Sequence, residues 1–220
     1  MSAVAHPEYS ALPFIPKSHS VKKLREAAQY CQGCPLFENA SQTVFGEGHS
    51  DPTIMLVGEQ PGDQEDVAGK PFVGPAGKLL DICMREAGIS REQAYVTNIV
   101  KHFKWVQRGK RRIHDQPNAM EVTACKPWLE AEMEAVHPKL VIALGATAAQ
   151  GLAGRNFRVT RQRGEIIRVE KYPPIMATVH PSSLLRQATS EDRHRETHLF
   201  IADLKKGAEF VSGKKFLGKL

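Results

Sequence analysis

The sequence has no apolar run approaching the roughly 18 residues that a membrane-crossing helix needs. A membrane-embedded role is therefore not expected. The opening stretch "MSAVAHPEYSALPFIP" lacks a charged segment followed by a long apolar core, so it does not read as a secretory leader. The chain is accordingly read as intracellular and cytoplasmic. Cysteine is scarce, with four in 220 residues: Cys31, Cys34, Cys83 and Cys125. In a reducing compartment so few thiols do not make a disulfide scaffold, and a Cys-x-x-Cys pair points to metal or redox chemistry. There is no Walker A loop and no dinucleotide-binding glycine fingerprint, because the required spacings are absent. Internal repeats and a second-domain boundary are also missing. The chain is read as an N-terminal arm (1–20), one folded domain (21–212) and a basic tail (213–220). Nothing in it demands more than a monomer.

What is present is an ordinary globular composition, 41% apolar and 25% charged, with a net charge of +6. The positive balance favours polyanionic partners. Basic residues gather in 101–112, in 155–168 and in the tail "GKKFLGKL".

Strand and helix patterns alternate. "TIMLVG" (53–58), "AYVTNIV" (94–100), "KLVIALG" (139–145) and "PIMATV" (174–179) read as buried strands, and "GEIIRV" (164–169) as a peripheral one. Helices are expected over 20–30, 77–88, 118–136, a short stretch after 145, and 191–210. Ser20 is a candidate N-cap, Asn118 with Glu121 a candidate capping box, and Pro127 predicts a bend just after Cys125. The first twenty residues carry three prolines and no period, so an extended or disordered arm is expected. The pattern predicts a three-layer α/β/α fold around a central, mainly parallel four-stranded sheet. In such folds ligands lie beyond the carboxyl ends of the strands. The informative loops are then "GEQPGDQEDVAGKPFVG", "NIVKHFKW", "LGAT" and "HPSSLLR".

Two features stay open on the residues alone. Cys31-x-x-Cys34 needs two more ligands, and counting offers Cys83 and Cys125. Cys83 sits on the apolar stripe of its helix and reads as a buried free thiol. The other is "GKRRIH" (109–114), three cations leading to a histidine, which is a solvated loop or a phosphate-binding device.

The motifs "GEQPGDQEDVAGKPFVGPAGKLLD", "YVTNIVKH", "ACKPWL", "LGATAAQ" and "TVHPSSLLR" resemble, in order, those of the iron–sulfur uracil-DNA glycosylases, family 4 and its relatives. The resemblance runs from about Cys31 to Asp203. "GKRRIH", with Gln60, is similar to one branch, UdgX, which binds uracil-containing DNA covalently through the histidine of this loop. The resemblance implies cleavage of the bond between uracil and its sugar in DNA, with single-stranded DNA accepted. It implies Glu59, His114 and His180 as catalytic residues. Gln60, Gly62, Asp63, Phe72, Asn98 and His180 would bind uracil, with Phe72 stacking on the base, Asn98 reading its edge and His180 donating to a carbonyl oxygen. Lys101, Lys110, Arg111, Arg112, Ser182, Ser183 and Arg186 would contact DNA. A 4Fe–4S cluster is implied on Cys31, Cys34, His102 and Cys125, the histidine standing where the family carries a third cysteine. Spacing alone leaves zinc open. His114, in its neutral form, is a competent nucleophile that would capture the sugar cation in place of water.

Overall fold

The computed structural model describes residues 9–213. Apolar residues on its strands alternate between two cores, as a pleat of period two requires. On β2 (Ile54–Gly58), Met55 and Val57 face one core, and Ile54 and Leu56 the other. On β6 (Leu140–Leu144), Val141 and Ala143 face the first core, and Leu140, Ile142 and Leu144 the second. The first core is closed by α1 (Val21–Ala28), α4 (Ala119–Val136) and α5 (Ala146–Ala153) through Leu24, Trp128, Leu129 and Ala148. The second is closed by α3 (Pro75–Glu86) and α8 (Ser190–Val211) through Leu80, Met84, Phe200 and Leu204. Both faces are thus covered, giving the expected α/β/α layers.

The sheet has six strands among the described residues. Its centre is four parallel strands in the order β3 (Ala94–Asn98), β2, β6, β8 (Ile175–Thr178). The expected four-stranded sheet is therefore present. Two-residue antiparallel strands extend it at each edge, β1 (Glu47–Gly48) against β3 and β7 (Ile166–Ile167) against β8. No helix among the described residues is long and apolar enough to cross a membrane.

Three local expectations need revision. Residues 9–20 do not form a free arm: Ala11 is buried and its N–H donates to the Ala124 carbonyl at 2.8 Å. Residues 1–8 and 214–220, with most of the proposed tail, lie outside the described residues. Segment 101–117 is not a plain loop. It forms a hairpin of β4 (Trp105–Arg108) and β5 (Arg111–His114), placing Trp105 opposite His114. The loop after β2 contains a short helix, α2 (Asp63–Ala68), and "HPSSLLR" contains α7 (Pro181–Leu185). At Pro127, where a bend is expected, α4 continues without a break. The carbonyl that proline leaves unpaired belongs to exposed Thr123, where water can satisfy it. The capping box at Asn118 is present, with Glu121 N–H donating to Asn118 Oδ1 at 2.9 Å and Asn118 N–H to Glu121 Oε2 at 2.7 Å.

Under the first core lies a buried ion pair. Lys101 Nζ is 2.5 Å from Glu132 Oε2, with both side chains sealed from solvent. Lys101 also donates to Thr97 Oγ1 and the Asn98 carbonyl, and Glu132 accepts from Gly46 N–H, Tyr95 and Thr97. Removing one partner strands the other charge. Lys101→Met should lower the unfolding free energy by about 3–5 kcal/mol, whereas pairing it with Glu132→Leu should recover most of the loss. Urea denaturation followed by tryptophan fluorescence measures both.

Candidate active site

The carboxyl ends of β2, β3, β6 and β8 open into a cleft of about 860 Å³. Its walls include Glu59, Gln60, Gly62, Glu65, Phe72, Asn98, His114, Gln116, Thr147, His180, Ser182, Ser183 and Arg186. Each parallel strand delivers one of them. Glu59 follows β2, Asn98 ends β3, Thr147 lies in the first turn after β6, and His180 follows β8.

The base of the cleft is a close crossing of side chains. A Cβ on Gly58 would lie 2.3 Å from Asn98 Oδ1 and 2.7 Å from the Phe72 ring, so only glycine lets the two meet there. Phe72 itself has φ of 56°, a conformation costing a non-glycine residue about 1–2 kcal/mol. Gly77 makes room for that backbone, since a Cβ there would fall 1.8 Å from the Phe72 carbonyl oxygen. The strained turn presents the Phe72 ring near-parallel to the His180 imidazole, 6.1 Å between centroids and 27° between planes. Asn98 is buried and lines the cleft.

His180 has a defined tautomer. Ser182 N–H donates to its Nδ1 at 3.2 Å, and the Ser182 hydroxyl lies 2.8 Å from the same atom. Nδ1 is therefore an acceptor, and the ring proton sits on Nε2. Burial pulls the imidazole pKa down to about 4, with Arg186 and His114 adding to the effect and Glu59 opposing it. The ring is neutral at ordinary pH and still a donor.

Glu59 is held at both oxygens. Oε1 lies 3.2 Å from His114 Nε2, and Oε2 accepts from the Thr147 hydroxyl. Burial would raise this carboxyl. Hydrogen bonds from His114 and Thr147, with the imidazoles of His114 and His180 nearby, overcome that and keep it below the usual carboxylate value. An ionised carboxylate only accepts, so His114 presents Nε2–H to it.

The hairpin that carries His114 is clamped at root and flank. Gln60 spends its whole carboxamide on the root, donating to the Lys104 and Asp115 carbonyls (3.1 and 3.0 Å) and accepting from Lys104 N–H (3.1 Å). Arg112 reaches Asp63 at 2.7 Å and the fully buried Asp66 at 2.6 Å, lying over the rings of Phe103 and Trp105.

These contacts correct several expectations. Lys101 is sealed on Glu132 and cannot reach a phosphate. Arg112 is committed to two carboxylates, so its charge docks the hairpin. Asp63 is Arg112's partner and does not line the cleft. Gln60 and Gly62 line the cleft, where the backbone around them is expected to complete the pocket, and the Gln60 amide serves the hairpin root. Ser182 and Ser183 also line the cleft, and their hydroxyls bond to His180 at Nδ1 and at the carbonyl. Lys110 and Arg111 are exposed at the hairpin tip, and Arg186 is exposed at the rim. Thr147, Gln116, Glu65 and Asp66 were not singled out as site residues. For Thr147 the signal existed in its place directly after a strand, in "LGAT".

Cys31, Cys34 and Cys125 are free thiols buried in one apolar region with Leu24, Ala28 and Trp128. Lys101 N–H donates to Cys125 Sγ and Trp128 Nε1–H to Cys31 Sγ, each at 3.2 Å. Burial, with Cys31 adding to it, pushes the Cys34 thiol up to about 11 against an opposing backbone hydrogen bond. Thiolates in this setting need a neighbouring cation, which metal supplies. His102 is buried and pulled down to about 4 by burial, so it is neutral, the ligating form. The Thr43 hydroxyl donates to the Ala28 carbonyl at 2.8 Å, so it accepts from His102 Nε2–H at 2.9 Å and leaves Nδ1 as the free lone pair. Among the described residues no three His, Cys, Asp or Glu side chains converge on one ion. A multi-iron cluster takes one ligand per iron and does not need that convergence. The donor set fits such a group. Cys83 lies in the second core, apart from these three, with its thiol pushed up to about 11 by burial.

The sequence model of the Uracil DNA glycosylase superfamily matches residues 45–205. The chain is 37% identical to a Type-4 uracil-DNA glycosylase of Thermotoga maritima over 187 residues, covering 84% of this chain and 92% of the relative. It is 33% identical to one from Sulfurisphaera tokodaii over 211 residues, covering 89% and 92%. A Type-5 uracil-DNA glycosylase of Pyrobaculum aerophilum is 29% identical, covering 68% and 72%.

The His180 tautomer is directly measurable. Imidazole nitrogen NMR should show Nε2 protonated and Nδ1 bare from neutral pH down to about pH 5, with titration only nearer 4. Ser182→Ala removes the hydroxyl but keeps the backbone donor, so the tautomer should persist.

Proposed function

The chain belongs to the uracil-DNA glycosylase superfamily, and from that membership we propose that it excises uracil from DNA and becomes joined to the deoxyribose through His114. The observation that carries the second half is the 3.2 Å contact between His114 Nε2 and Glu59 Oε1 on the cleft wall. A nucleophile and the group that can take its proton stand together where the sugar would lie.

The chemistry follows from the residues. A uracil flipped into the cleft stacks on Phe72, and the Asn98 carboxamide matches its adjacent carbonyl and N–H. The bond from the sugar anomeric carbon to the base nitrogen breaks, and its electron pair leaves with uracil. His180 Nε2–H donates to a uracil carbonyl oxygen and stabilises that anion, while ionised Glu59 faces the sugar cation. His114 then passes its Nε2 proton to Glu59, and the freed lone pair bonds to the anomeric carbon. The products are a neutral glycosyl-imidazole, a protonated Glu59 and a uracil anion that takes a proton from solvent. Conventional release of free uracil over many turnovers is the competing reading, favoured by the names of the matched relatives.

Cys31, Cys34, His102 and Cys125 would hold a 4Fe–4S cluster, whose role here is to pin the start of the hairpin segment to α1 and α4. Among the basic residues expected to contact DNA, Lys110, Arg111 and Arg186 are free to meet phosphate, and binding through them weakens with salt.

Denaturing electrophoresis with a uracil-containing single-stranded oligonucleotide tests the proposal. A band of combined mass should appear with the native protein and vanish with His114→Ala. Arg112→Ala should cut its yield about tenfold, as expected if hairpin docking weakens by about 1.4 kcal/mol. Many equivalents of free uracil without the band would favour the competing reading. Elemental analysis should find about four irons and matching sulfide per chain. Stoichiometric zinc without iron would overturn the cluster.

A further inference from the structure

Glu59 touches His114 with only one of its oxygens. The other accepts from the Thr147 hydroxyl, and Thr147 Oγ1 in turn accepts from Gln116 Nε2 at 3.0 Å. Gln116 lies two residues beyond His114, in the segment that leaves the hairpin after β5. The contacts therefore close a loop, from Glu59 through His114 and the backbone to Gln116, then through Thr147 back to Glu59. We propose that Thr147 and Gln116 are positioning residues that aim the Glu59 carboxylate at His114 and bind the segment leaving the hairpin to that same carboxylate. This rests on the reading of Glu59 and His114 given above, and it assigns a role to two residues outside that reaction scheme.

The physical argument has three parts. First, carboxylate orientation needs both oxygens fixed, because a single bond leaves rotation about the terminal torsion. Thr147 supplies the second bond from the first turn of α5, which is anchored to the sheet by β6. Second, a hydroxyl that accepts from an amide while donating to a carboxylate is polarised in the useful direction, so Gln116 strengthens the Thr147 bond to Glu59. Third, the groups facing Glu59 are His114 on β5, Thr147 on α5 and His180 after β8. Thr147 is the one of the three that does not titrate, so its contribution does not depend on a histidine charge. Loss of its hydroxyl removes support for the anion, and the Glu59 titration moves to higher pH. Excision needs that anion, so its acid limb moves the same way.

Three variants separate the parts. Thr147→Val removes the hydroxyl at nearly constant shape, Thr147→Ser restores it, and Gln116→Ala cuts only the link to the segment leaving the hairpin. Two readouts are taken: the Glu59 titration midpoint by carboxyl-carbon NMR in the DNA-free protein, and the pH profile and adduct fraction with a uracil oligonucleotide. Thr147→Val should raise the midpoint, shift the acid limb upward and lower the adduct fraction about tenfold, as loss of a hydrogen bond to a charged group implies. Thr147→Ser should return all three towards native values. Gln116→Ala should lower the adduct fraction with a much smaller change in midpoint. A Thr147→Val midpoint unchanged from native overturns the proposal, as does a serine variant that behaves like valine. If the native protein neither releases uracil nor forms an adduct, the functional reading fails, while the midpoint comparison still decides the role of Thr147.

Discussion

A lysine and a glutamate buried together under the first core organise this molecule. Neither Lys101 nor Glu132 has water to fall back on, so each must be met by protein on every side. The groups that meet them come from Gly46 before the edge strand and from β3, through Tyr95, Thr97 and the Asn98 carbonyl at its end. The same backbone that carries Lys101 donates to Cys125 and continues into His102. One ion pair thus links the strand that offers Asn98 to the cleft with the cysteine region and with the start of the hairpin.

From that anchor outward, charges in the site are disposed to hold shape before they act. Asp66 is buried and would be unpaired without Arg112, and Arg112 can reach it only if the hairpin lies against α2. Gln60 closes the root of the same hairpin with three backbone hydrogen bonds. These contacts leave His114 at a fixed height over Glu59. Only the tip cations, Lys110 and Arg111, and the rim cation, Arg186, remain uncommitted among the basic residues expected to meet DNA.

Much of this was legible in the sequence. The parallel sheet and the helix layers follow from periodicity, the Asn118 capping box from its residue pair, and the informative strand-end loops from where ligands lie in such sheets, while Glu59, Asn98 and His180 within those loops follow from the resemblance to the family. The hairpin was not legible, because "KWVQRGKRRIH" shows neither clean alternation nor a strong turn dipeptide. It is stabilised by what Arg112 and Gln60 find elsewhere in the chain. Lys101 was misread for the same reason. A lysine in a basic run looks like the cations around it, and only its carboxylate 31 residues away reveals that it faces inward. Sequence shows which residues carry charge, whereas pairing between distant residues decides which of them are spent.

Gly58 and Gly77 have a consequence for how this chain can change over generations. Each stands where a single added carbon would collide with Asn98, Phe72 or the Phe72 backbone. Drift at these two positions is closed by geometry, independently of any selection on chemistry. A descendant with an altered cleft must then be reached through side chains that can be trimmed or exchanged, such as Ala76 or Thr160 on the cleft wall. The floor of the cleft is heritable as a unit, and its walls are where variation can be tried.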